Sequence, residues 1–243
     1  MTRTRLGLLG LCAMVFGLMA FGASAAQAET GAKWLFAHVV EGKELLIPFL
    51  EASIGLETDT VGILHTEISK TKVLFECTTS AAIGATLKAN GSIGNGAKIK
   101  FSGCTTKLNG ATSAPCKPKA GGTEDGVINT QAGHALLVLH ALAGGGTDDL
   151  LSILPDSGET FAFIEMSEEC SIGSKVPVIG KATLKDCENL ALTHLVKHLV
   201  EIGPLTELWT ISKTAEHVAT ILGSGWAKLT GAHEGLKFSG DPA

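Results

Sequence analysis

The chain has 243 residues, 45% of them hydrophobic, with 19 basic residues against 24 acidic ones and six cysteines. That apolar content is ample for a buried core, and the acidic balance argues against nucleic acid or anionic membrane surfaces as partners, since both need clustered cations. Tyrosine is absent and tryptophan occurs three times, which lowers the readings that lean on aromatic platforms, sugar and protein recognition.

The chain begins like a secretory signal. Arg3 and Arg5 form a positive start, residues 6–25 an apolar run, and Ala26-Gln27-Ala28 a small-residue cleavage site, so a signal helix cleaved after Ala28 is expected. Cleavage removes both arginines and leaves 17 basic against 24 acidic residues, a net charge of −7. No second long apolar run follows, so no stable membrane insertion is expected after cleavage. The expected address is secreted or extracytoplasmic, with an envelope or extracellular partner.

Residues 29–66 carry little pattern beyond Pro48, which breaks the apolar run at residues 45–50. Val73-Leu74-Phe75-Glu76-Cys77 reads as a strand, and residues 98–102 alternate with Ile99 and Phe101 on one face. Glycines at 91, 94 and 96 supply the reversal between them. Asn109-Gly110 is a two-residue hairpin signal, because a type I′ turn wants positive φ at both central positions.

Five cysteines follow the cleavage site, and an exported chain meets oxidising conditions, so disulfides are the default. The Asn109-Gly110 hairpin sets Cys104 opposite Pro115, and a bulge at Gly103 would bring Cys104 to Cys116. Cys170 and Cys187 make the second expected pair. Cys77 is then left unpaired, on the face shared by Val73 and Phe75.

Further along, residues 127–130 form a short strand, and residues 134–141 alternate so that Ala135, Leu137 and Leu139 share one face and His134 and His140 the other. Residues 160–166 and 175–185 are strong strands; Pro177 suits an edge or a strand's first residues. Residues 190–202 fit a short helix or a strand equally, and Pro204 ends them either way. Three more strands cover residues 207–212, 218–222 and 226–230. The expected fold is all-β, an antiparallel β-sandwich or barrel-like fold, as a single domain over residues 29–243. It has room for two packed sub-sheets divided near residues 144–158.

Candidate chemistry is sparse. His194 and His198 have the i, i+4 spacing of a helical metal pair, with Glu201 a turn further on, but Leu195 stands where a zinc hydrolase has Glu. Glu165, Glu168 and Glu169 could serve as the paired carboxylates of a secreted hydrolase; a solvated strand end explains them as well. Asp148 and Asp149 are too few for calcium. No nucleophile elbow or phosphate loop occurs, and Gly180-Lys181 lacks the glycine such a loop needs. No cofactor, metal or catalytic residue is therefore assigned. A structural or interaction protein is the expected function, with a carboxylate hydrolase and a His194/His198 metal domain as alternatives.

Several short stretches together carry a resemblance: Trp34, Phe75-Glu-Cys77, Phe101-Ser-Gly-Cys104, Cys116, Glu169-Cys170-Ser-Ile-Gly173, Lys175-Val-Pro-Val-Ile-Gly180, Gly203-Pro-Leu-Thr-Glu-Leu208 and Gly235-Leu-Lys-Phe-Ser-Gly240. In these the chain resembles a group of uncharacterised exported proteins of soil actinobacteria. The resemblance implies a β-rich exported fold and carries over no activity.

Overall fold

The computed structural model describes residues 33–48, 50–141, 147–187, 191–198, 207–212 and 215–241. The expected signal segment lies outside them. The chain opens with β1 (Lys33–Val40), β2 (Lys43–Pro48), β3 (Glu51–Thr58), β4 (Gly62–Ile68), β5 (Thr71–Ile83) and β6 (Thr86–Lys88). Next come β7 (Ser92–Leu108), β8 (Ala111–Thr112), β9 (Ile128–Asn129), β10 (Gly133–Ala141), β11 (Thr147–Pro155) and β12 (Thr160–Glu165). The last are β13 (Lys175–Lys185), β14 (Thr193–His198), β15 (Glu207–Ser212), β16 (Ala215–Leu222), β17 (Ser224–Leu229) and β18 (Phe238–Asp241).

These strands close on themselves twice. Antiparallel pairing runs β10–β11–β13–β14–β17–β3–β6–β7 and returns from β7 to β10, which makes a first ring. A second runs β13–β15–β16–β4–β5–β7–β9, and a Thr130↔Ala162 bridge carries it to β12 and back to β13. Closure removes the open edges on which a sheet would otherwise aggregate. Each ring encloses its own core: Leu87, Leu137 and Leu229 fill the first lobe, and Phe75, Ile164 and Val176 the second. A small sheet, β18–β1–β2, lies against the first lobe and contributes Trp34 and Phe238 to its core.

The two long strands β7 and β13 belong to both lobes. Residues 175–181 of β13 pair with β12 and β15, and residues 182–185 with β11 and β14. Gly180 sits at that change with φ +105°, and a Cβ there would lie 2.0 Å from the Glu207 carbonyl oxygen. Only glycine fits both demands. Pro177 is among the first residues of the strand, ahead of the β15 ladder, where its missing N–H costs nothing.

The all-β expectation holds, with barrel-like closure. Of the two readings left open for residues 190–202, the short helix gives way to the strand: their described part contains β14. A division near residues 144–158 is also corrected, because strands of the two lobes interleave along the chain. In β10 the expected alternation ends at Leu137; Val138 is buried and Leu139 exposed.

The disulfides are Cys77–Cys104 and Cys116–Cys170. The expected Cys104–Cys116 and Cys170–Cys187 pairs are thus corrected, as is an unpaired Cys77. The Asn109-Gly110 turn forms as expected, with φ of 51° and 88°, but its returning strand is only β8, two residues long. Beyond it the chain leaves the ladder, so the Cys104 N–H donates to Gly126, not to the region of Pro115. The other neighbour of β7 is β5, where Cys77 is the direct cross-strand partner of Cys104. The register is the same on either side of Gly103, which has φ 63° and is itself left out of the ladder, so no extra residue is inserted there to shift Cys104 toward Cys116. Cys187 is buried in the first lobe and belongs to neither bridge.

Candidate functional site

The interior of the first lobe is not filled. Mainly between its strands, and reaching Ala82 of β5 and Phe161 of β12 in the second lobe, lies a cavity of about 90 Å³ with an almost wholly apolar wall. The open space follows from side-chain choice. Inward positions of small barrels are normally filled by branched residues, yet Ala85, Ala135 and Ala227, all buried, stand on this wall, with Ala82 and Ala97 partly buried beside them. Larger groups such as Leu151, Val196 and Phe238 complete it. At about 24 cal/mol per Å³, such a void costs the fold about 2 kcal/mol relative to a filled core.

Of the polar residues on the wall, Lys98 and Gln131 are exposed, and the more buried ones are engaged elsewhere. The Trp34 indole N–H donates to the Ser92 carbonyl at 3.3 Å, and His194 donates from Nε2 to the Phe238 carbonyl at 2.6 Å. The His194 ring also packs on Phe238, with centroids 4.4 Å apart, and the residue is buried. Thr130 Oγ1 accepts from the Ile99 N–H at 2.9 Å, and His134 Nδ1 pairs with Asp156 at 3.0 Å near the surface. Asp156 is held in turn by the Gly96 N–H at 2.7 Å.

The sequence candidates do not converge. On a strand, His194 and His198 share a face but stand about 13 Å apart along it, too far for one metal ion. Their surroundings differ as well. His194 lines the apolar cavity, whereas His198 lines a smaller one of about 30 Å³ that also touches Gly62 of β4 and Phe101 of β7, where the lobes meet. Among the described residues no three His, Cys, Asp or Glu side chains gather as a metal site. Glu201 lies outside the described residues. Glu168 and Glu169 are exposed, and Glu165 is half-buried with Lys175 Nζ 3.8 Å away, so a solvated strand end describes them. Asp149 is buried.

His198 Nδ1 is shut away from solvent without a hydrogen-bond partner. Burial lowers its pKa from the usual 6.5 to about 4. The unfolded chain therefore takes up a proton near pH 6.5 that the folded chain refuses until about pH 4. Stability from this group is intact at pH 7 and lost as pH falls through that window, by about 3 kcal/mol at most. Urea unfolding at pH 7 and pH 4.5 should show a clearly larger loss in the parent than in His198→Phe; equal losses would contradict it.

Comparison with protein-family models, curated proteins and solved structures finds no match to this chain. The cavity escaped sequence reasoning. Its signal was a set of alanines scattered along the chain, four of them in strands, which read as ordinary composition until the ring closure shows what they face.

Proposed function

We propose that this is an exported binding protein, working at or outside the cell envelope, whose first lobe holds a small molecule. The cavity is the observation that carries this reading. A closed barrel lobe with a partly empty interior is a common ligand container, and here the space is kept open at a cost of about 2 kcal/mol that a few added methyl groups would recover. The two disulfides suit an oxidising, extracytoplasmic setting, in line with the expected signal peptide. Both join parts of the second lobe, which supports a division of labour: a covalently stapled lobe beside one that receives a ligand.

Saturation-transfer NMR with a panel of small fragments, polar and apolar, tests the reading. At least one fragment should respond with the parent protein. The response should disappear in Ala135→Val and in Ala227→Val, each of which places methyl groups in the cavity. Both variants should melt no more than a few degrees from the parent, because filling a void offsets the strain of added volume. A panel with no response, or responses that persist in both filled variants, would defeat it.

A further inference from the structure

We infer that the group taken up by the first lobe is a compact, uncharged hydrocarbon, a small ring or a short branched alkyl end, and that it is held without a hydrogen bond. This rests on the reading of that lobe as a ligand site and specifies the chemistry of the ligand. The size follows from the space: at about 90 Å³ it is smaller than the cavities of about 150 Å³ that take up benzene or xenon in other proteins. A long acyl chain would not fit inside, whereas a short branched or cyclic end would.

The polarity follows from the wall. Lys98 and Gln131, both exposed, border the space; of the more buried polar groups, the indole of Trp34, the Nε2 of His194 and the Nδ1 of His134 are each directed to a protein partner, and the Thr130 hydroxyl accepts from the Ile99 N–H. A ligand hydroxyl or carboxylate carried into this space would lose its water and find those groups committed. An uncompensated buried hydroxyl costs a few kcal/mol, and an ion far more. Any polar part of a natural ligand therefore stays outside the lobe, and the buried part is hydrocarbon.

The test compares xenon, benzene, phenol and hexanoate on the full chain, by thermal shift and by chemical-shift perturbation of the Ala135, Val196 and Ala227 methyl groups. Xenon and benzene are expected to bind and to perturb those methyls. Phenol, which adds one hydroxyl to the same ring, is expected to bind about tenfold to a hundredfold more weakly. Hexanoate, whose carboxylate must stay outside the lobe, is expected to bind more weakly than benzene and to perturb the same methyls less. Phenol or hexanoate binding as tightly as benzene at those methyls would overturn the inference while leaving the lobe a ligand site. No response to any probe, xenon included, would overturn both.

Discussion

A Cys116→Ser, Cys170→Ser double variant is expected to melt about 10 °C below the parent. The bridge closes a loop of 54 residues, and constraining a loop of that size in the unfolded chain stabilises the fold by about 4 kcal/mol. In a protein of this length each kcal/mol shifts the melting temperature by about 2–4 °C. The bridge has few substitutes. It ties the segment after β8 to the turn after β12, and beyond it the same segments meet through a Lys119↔Glu165 bridge and a 2.6 Å hydrogen bond from Ser167 to the Pro115 carbonyl. Cys77–Cys104 closes a loop of 27 residues, half as long, so its constraint on the unfolded chain is smaller. Its removal is expected to shift melting less. Calorimetry of both double variants decides the matter; a shift of under 2 °C for Cys116/Cys170, or the reverse order, would count against the stapled lobe.

Gly180→Ala is expected to destabilise the protein by about 3 kcal/mol or more, a severe loss for one methyl group. Two independent penalties coincide there: φ is +105°, and the new Cβ would meet the Glu207 carbonyl at 2.0 Å. Relief requires β13 and β15 to move apart, and β13 serves both lobes, so both should loosen. Gly122→Ala provides the control, with φ +78° but nothing within 4 Å of its Cβ position. Its loss should be limited to backbone strain, about 1 kcal/mol. Denaturant midpoints for the two variants check this; equal losses would show that the close approach at Gly180 does not matter.

What the sequence made legible was local. Alternation in residues 98–102 and 175–185, and the Asn109-Gly110 pair, specify strands and a turn through near-neighbour geometry, and β7, β13 and the turn are where the period places them. The same locality misdirected the disulfides. The turn was right, but how far its returning strand continued depended on the distant Gly126 segment, which occupies the edge beside Cys104. The ambiguous residues 193–198 became a strand because Thr193–Lys197 found a ladder on β17, a long-range partner that periodicity cannot name. Cys77 was placed on the correct buried face with Val73 and Phe75, yet its partner lay across the sheet, not along the chain. The cavity was least legible of all. Five alanines scattered over 146 residues, from Ala82 to Ala227, share a wall only once the ring closes.

Of all measurements, the most direct is a solution structure of the benzene-saturated protein from intermolecular nuclear Overhauser effects. Contacts from benzene protons to the methyls of Ala135, Leu151, Val196 and Ala227, with none to Phe75 or Val176 in the second lobe, are what an apolar chamber in the first lobe requires. Contacts confined to the outer surface, or spread over both lobes alike, would contradict it.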